Sequence, residues 1–372
     1  MSRLDTNAYY ALGIPAYVAV MVVEHFWARR HEMRVYRFAA TLGNLSAGLG
    51  EVVLGLFLGP YLLALYDYGF ERIALVHWSE GSPVPWLIAF FGGDLCYYLY
   101  HRAGHRIGLF WAIHGVHHQS DTFNFSVAMR HPWFSDTYAV LFYAPMPLLG
   151  VPAKHFFLAI SIISFYALTV HSRFFRRPSL GLFVTPQTHI VHHATNARYL
   201  DRNFGAMFSL WDRLFGTHVE VTADDPPVVG CLSGNLTHSG ARAQWVFFED
   251  LFRRARSARR LRDALAVLVR PPGWLPPDAR PLAPLRATRS EREIPRSTQL
   301  ASGLLFTVAL LVATALLWGR DGYAPGARIA LATAVLVTLG LVGALLDGRA
   351  PRAASARADG ERGADTPSVI PR

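Results

Sequence analysis

Eight of the chain's sixteen histidines fall into three short boxes. His101 and His105 stand in HRAGH, His114, His117 and His118 in HGVHH, and His189, His192 and His193 in HIVHH. Neutral imidazole is a strong ligand for iron, zinc, copper and nickel. On a helix, positions i, i+3 and i+4 share a face, so the spacing predicts that each box aims its imidazoles one way. A lone histidine on an apolar face is ordinarily a satisfied core residue, but a repeated HxxHH pattern makes that a poor account of all three boxes. Eight ligands exceed what one ordinary centre takes, and two metal ions are the simplest count. The boxes lack the cysteine or carboxylate of mixed zinc sites and the Glu-x-x-His pair of soluble four-helix di-iron proteins. The spacing therefore describes a histidine-only site and leaves the metal open.

The elements that must position these boxes are apolar. The chain is 52% hydrophobic and 13% aromatic. Runs approaching the ~20 residues needed to cross a bilayer are predicted at Ala8 to Trp27, Thr41 to Tyr66, Pro85 to Tyr100, Lys154 to Val170, Ala301 to Trp318 and Ala327 to Leu346. Pro145 and Pro147 interrupt the weaker run Phe134 to Gly150, which is expected to form half of a short hairpin with the Lys154 helix. The first run ends in Glu24 and His25 without a small-residue cleavage site, so it is read as an anchor helix rather than a removed signal. The net charge of +10 is carried almost wholly by arginine, Lys154 being the single lysine. Arg29, Arg30, Arg34 and Arg37 follow the first run, Arg173, Arg176 and Arg177 follow the hairpin, and a third group runs from Arg253 to Arg262. This placement beside apolar segments argues for a membrane surface and against nucleic acid. By the positive-inside rule it puts all three boxes at the cytoplasmic face. Cys96 and Cys231, one in a membrane helix and one in the polar region, are not expected to pair.

The expected fold is an all-α integral membrane protein, a transmembrane helix bundle with a cytoplasmic helical cap holding a histidine-rich dimetal site. Residues 1–83 are read as amino-terminal membrane helices, 84–220 as the catalytic unit with every box, and 221–298 as a basic cytoplasmic linker. Residues 299–348 are read as a carboxy-terminal helix pair and 349–372 as a disordered tail. Gln244 to Val269 mixes aromatics with arginines, and is read either as a helix lying on anionic lipid or as a topogenic basic loop. There is no Walker-type loop or dinucleotide fingerprint.

The wording around the boxes resembles the fatty acid hydroxylase/sterol desaturase superfamily of membrane di-iron enzymes. GGDLCYYLYHRAGH is similar to that family's helix entering the first box, HGVHHQSDTFNFSVAMRHP to its second, and TPQTHIVHHATNARYLDRNFGAMFSLWDRLFGTH to its third with the closing signature. The likeness covers roughly residues 90 to 220, and its DRNFG and WDRLFGT wording leans toward the alkylglycerol monooxygenase-like branch. It implies two non-haem iron ions held by His101, His105, His114, His117, His118, His189, His192 and His193, with His171 completing the set. Arg173 stands where relatives often have asparagine. His131, Asp94, Asp121 and Asn203 are weaker candidates for the surroundings of the metals or the pocket.

Acidic groups such as Asp94, Asp121, Asp201 and Asp212 are expected either to orient imidazoles or to act as ordinary caps. Phe110, Trp111, Phe123, Phe125, Trp133 and Phe134 are expected to line an apolar slot or to be plain core. The resemblance implies an O2-dependent mono-oxygenase that hydroxylates a C–H bond of a fatty acyl, sterol or ether lipid, with desaturation by the same site as the near alternative. A non-enzymatic metal-binding membrane protein would scatter histidines along the membrane helices, whereas these cluster. No fused haem or iron–sulfur segment is visible, so electrons are expected from a separate cytochrome, ferredoxin or pterin donor. The expected location is a bacterial inner membrane.

Overall fold

Two short helices that meet end to end carry five of the box histidines. Gly93–Arg106 (α4) ends in the first box and Gly108–His118 (α5) ends in the second. Gly108 at the junction approaches the following chain closely: its N–H donates to Arg270 O at 2.9 Å, and a Cβ there would lie 2.5 Å from Val267 O. The computed structural model describes residues 6–174, 181–234, 236–282, 294–319 and 321–348. Arg176, Arg177 and the tail from Arg349 lie outside the described residues.

The described residues are helical, with isolated bridges such as Ala194 with Val229 and no extended strand. Thr6–Arg30 (α1) and Phe38–Ile73 (α2) open the chain. With 36 residues, α2 is about 54 Å long at 1.5 Å per residue, so it runs well past a hydrocarbon core and into the cap. Val84–Leu87 (α3) leads through a π turn at Ile88–Gly92 into α4. The predicted run from Pro85 is therefore helical throughout but widened and underwound by one π turn. Phe125–Ala128 (α6) follows the second box. The expected hairpin is built from Ser135–Tyr143 (α7), Pro145–Leu148 (α8) and Ala153–Thr169 (α9). At nine residues, α7 spans only about 14 Å, too short to cross.

Among the described residues, three helices are long and apolar enough to cross a membrane: α2, Arg296–Gly319 (α14) and Pro325–Leu346 (α15). They pack through Leu49, Val53, Ala309, Ala313, Leu316, Ala332, Val335 and Leu339. The alanines let backbones approach, which is how helices associate where lipid offers no hydrophobic drive. Within residues 221–298, Gly240–Ser257 (α12) and Leu261–Val269 (α13) fold back over α5. Of the aromatic face expected to lie on lipid, Phe247 is buried against Trp111 with Val246 and Leu251, while Trp245 and Phe252 stay exposed. The apolar side of α12 is spent on the histidine-bearing helix because that helix would otherwise expose Trp111 and Ala112.

Candidate metal centre

The third box sits on Pro186–His192 (α10), a helix fixed at its start by its own sequence. Thr185 Oγ1 accepts from Thr188 N at 3.3 Å while Thr188 Oγ1 accepts from Thr185 N at 2.9 Å. This reciprocal cap and Pro186 at the first helical position specify the start. Asn203 then pins the helix from outside, donating to Thr188 O and Val219 O and accepting from Val219 N, each at 2.8 Å. It does so with φ +54°, next to Asp201 at +56°, a backbone state Asn and Asp tolerate better than other side chains.

Nine imidazoles converge in two groups. His101, His105, His114, His118 and His192 form one; His117, His171, His189 and His193 form the other. The boxes do not aim all their imidazoles one way, as the spacing predicts. In both HxxHH boxes the i,i+4 pair serves one group and the i+3 histidine the other. At 3.6 residues per turn, i and i+4 differ by about 40° and i+3 falls about 60° to the opposite side. One box can thus feed two adjacent centres. The groups adjoin, the rings of His118 and His193 stacking at 4.5 Å.

Hydrogen bonds fix which nitrogen faces inward. Nδ1 of His101, His117, His171 and His192 meets the carbonyls of Phe204, Arg130, Ala167 and Arg202 at 2.8, 3.2, 3.0 and 3.0 Å. A carbonyl only accepts, so in these four rings Nδ1 carries the proton and Nε2 is bare in the neutral form. Yet Nε2 of His171 lies 3.1 Å from Nε2 of His117, lone pair against lone pair. His189 Nε2 approaches the same atom of His171 at 2.9 Å. In the five-histidine group, Nε2 of His118 lies 3.1 Å from Nε2 of each of His105, His114 and His192. Nε2 of His101 is buried with no hydrogen-bond partner. Nitrogens bound at right angles to an ion about 2.0–2.1 Å away stand about 3 Å apart. The donor set and spacing fit a metal ion in each group.

Burial, and after it the neighbouring imidazoles, holds His114, His117, His118, His189, His192 and His193 well below the usual imidazole range. Burial pushes His171 down to about 3. The rings therefore stay neutral, the form that ligates.

A family model for fatty acid hydroxylases matches residues 86–217. These residues are a fatty acid hydroxylase domain. The chain is similar to alkylglycerol monooxygenase of Homo sapiens, 27% identical over 330 residues, covering 86% of this chain and 73% of that one. The Danio rerio alkylglycerol monooxygenase is 28% identical over 235 residues, 63% of this chain and 52% of its own, so this chain spans about half of that relative. Ornithine lipid hydroxylase OlsE of Rhizobium tropici is 28% identical over 153 residues, 39% of this chain and 46% of its own. No solved structure matches. With this family and three helices able to cross a bilayer, the chain is an integral membrane protein.

All nine predicted histidines of the fatty acid hydroxylase domain lie in the two groups. The other predicted residues are held elsewhere. Asp94 accepts from Met207 N, Phe208 N and Trp211 Nε1 at 3.1, 3.3 and 2.9 Å, and so anchors the loop before Leu210–Leu214 (α11). Asp121 pairs with Arg37 on the surface rather than with an imidazole. His131 stands beside the centre, its ring 6.4 Å from His117, outside both groups. Of the acidic groups, Asp201 approaches an imidazole, 3.7 Å from His105 Nδ1. Backbone carbonyls orient four of the rings: those of Arg130, Arg202 and Phe204 lie in the segments after the second and third boxes, and that of Ala167 in α9. Trp111 packs on His118 and Phe123 on His171, His189 and His193. Phe110, Phe125, Trp133 and Phe134 pack on Tyr138, Phe174, the α2 backbone and Trp245.

A cavity of about 300 Å³ reaches His105, His118 and His192 of the five-histidine group. Trp111, Phe247, Leu251, Val267 and Trp274 give it an apolar wall, and Asp250 with Arg254 a polar one. Nothing in the sequence marked this cavity, because α12 and α13 are brought over α5 only by the tertiary fold.

Proposed function

We propose that the chain is a membrane-bound oxygenase whose nine grouped histidines hold two iron ions and that hydroxylates a C–H bond of a lipid with O2. The observation that carries this reading is the convergence of Nε2 atoms about 3 Å apart in each group, with His117 and His171 facing bare nitrogen to bare nitrogen, an arrangement that calls for a cation between them. The metal pair, when bound, supplies the O2 chemistry that no side chain can. The chain's own part is to hold and shield. Carbonyls of Phe204, Arg130, Ala167 and Arg202 keep four Nε2 atoms aimed inward. The cavity beside His105, His118 and His192 takes a hydrocarbon segment along Trp111, Phe247 and Leu251. One oxygen atom enters the substrate as hydroxyl and the other leaves as water, with the electron pair coming from a separate donor. Matches to an alkylglycerol monooxygenase and an ornithine lipid hydroxylase support hydroxylation of an ether or acyl lipid. A match to a Delta(7)-sterol 5(6)-desaturase of Leptosphaeria maculans, 27% identical over 186 residues, supports desaturation by the same site as the second reading.

The arginines after the first helix and along α12 support a centre at the cytoplasmic face. Relatives in animals as well as in Rhizobium tropici mean that similarity does not single out a bacterial inner membrane. The test is turnover of iron-loaded protein with a chemical reductant, oxygen-18 gas and a panel of alkylglycerols, free fatty acids and ornithine lipids. A product carrying one labelled oxygen supports the proposal. Metal-loaded protein that consumes no O2 with any of them contradicts it.

A further inference from the structure

Glu24 is a fully buried carboxylate on α1 that the metal centre as described does not use. A charge in an apolar helix persists only with partners, and by default marks a function. Its Oε1 accepts from Ser172 Oγ and Arg173 N, each at 3.0 Å. Its Oε2 accepts from Phe125 N at 2.9 Å and from Tyr36 Oη at 2.6 Å.

Two of these segments run directly into the four-histidine group. Ser172 follows His171, which lies two residues past the end of α9 at Thr169, its ring tied back to that helix through Ala167 O at 3.0 Å but its backbone outside it. Two residues before Phe125 is Phe123, fully buried, with its ring 5.9 Å from that of His171 and 5.5 Å from that of His193. The same two segments meet α1 again. Tyr17 Oη donates to Phe125 O at 2.5 Å, and Trp27 packs on Phe174 at 5.0 Å. The other three histidines of the group sit on or at the ends of α5 and α10. Of the four, His171 is the one whose backbone lies beyond its helix's cap residue, Val170.

We propose that Glu24 is a positioning residue for His171, so that α1 is part of the framework of the four-histidine site. This rests on the reading of His171 as a metal ligand. Removing a group that orients a ligand typically costs 10–100-fold in metal affinity, and here the cost falls on one of the two sites.

The experiment is an anaerobic titration of chelator-stripped, full-length protein with cobalt(II), followed by its ligand-field absorption. Wild type, Glu24→Ala, Glu24→Gln, Ser172→Ala and His171→Ala are compared. Glu24→Ala weakens one equivalent about 10–100-fold and shifts its bands, while the other equivalent binds as in wild type. Glu24→Gln, keeping one acceptor oxygen, falls between. If Glu24→Ala does not accumulate, Ser172→Ala carries the test with the same selectivity and a smaller loss. Wild-type binding of both equivalents overturns the proposal, as does equal weakening of both, the mark of a general folding defect. His171→Ala that keeps both equivalents refutes the ligand reading itself, whereas its loss of one alongside an unaffected Glu24→Ala refutes the role of Glu24 alone.

Discussion

Asp212 decides whether the loop before α11 keeps His101 aimed at the five-histidine group. Its buried carboxylate accepts from Phe204 N and Gly205 N, each at 2.8 Å, and from Thr217 Oγ1 at 2.7 Å. Phe204 O in turn accepts from His101 Nδ1 at 2.8 Å. In Asp212→Asn the amide oxygen can keep Phe204 N and Thr217, but the amide nitrogen faces the Gly205 N–H. One charge-assisted bond is lost, about 1.5–3 kcal/mol. In Asp212→Ala the N–H groups of Phe204 and Gly205 are stranded at about 1–3 kcal/mol each, roughly 2–6 kcal/mol together, while Thr217 Oγ1 keeps Tyr98 Oη at 3.0 Å. The upper figure reaches the low end of the whole stability of a typical domain, about 5–15 kcal/mol. The assay is thermal retention of the monodisperse peak in one detergent, with metal content measured on the same samples. Asn is expected to survive with a lowered midpoint and full metal, and Ala to fail to accumulate or to lose metal first. An Ala variant within about 0.5 kcal/mol of wild type with metal intact refutes the reasoning, as does an Asn variant as damaged as Ala.

Further outcomes follow from the same geometry. Leu251→Trp puts an indole into the cavity over His105, His118 and His192. Lipid turnover should fall at least about tenfold with metal content unchanged, and unchanged turnover would remove this cavity from the substrate path. The metal-free protein should lose stability in acid. Burial makes the nine grouped histidines titrate below their unfolded value of about 6.5, so the unfolded chain binds more protons as pH falls through that value. Stability is then fully present above about pH 6.5 and declines below it toward the depressed values, by up to about 1.4 kcal/mol per pH unit for each histidine. A thermal midpoint of the stripped protein that stays flat from about pH 8 to about pH 5 would contradict the burial of neutral imidazoles. Gly43→Ala places a Cβ on the backbone carbonyl of His238, which cannot move aside as a side chain would. A loss of about 1–3 kcal/mol is expected in the same thermal assay, and a neutral result would argue against this contact between α2 and the segment before α12.

The histidine boxes were legible because metal ligation leaves a spacing, and i, i+3, i+4 survives in one dimension. His171 was not legible that way. It is a single histidine in HSRFF with no partner nearby in sequence, and resemblance alone pointed to it. The division into five and four was hidden because helical spacing places i+3 and i+4 on one broad face, and only the surrounding helices decide that the two sides of that face serve different centres. The apolar runs of α2, α14 and α15 were clear from hydropathy. The covering of α5 by α12 was not, since an arginine-rich amphipathic helix looks the same whether its apolar face meets lipid or protein. Glu24 did carry a signal, an acid in an apolar helix, but its partners at Phe125 and Ser172 lie far along the chain.

The most direct test of the central claim is the metal content of anaerobically purified full-length protein, grown with iron-57 and measured by elemental analysis and Mössbauer spectroscopy. Two irons per chain, electronically coupled, with one lost in His193→Ala and the other in His118→Ala, is the predicted result. A single iron, or stoichiometric zinc after growth with iron supplied, would contradict the account of two adjoining histidine sites built for oxygen chemistry.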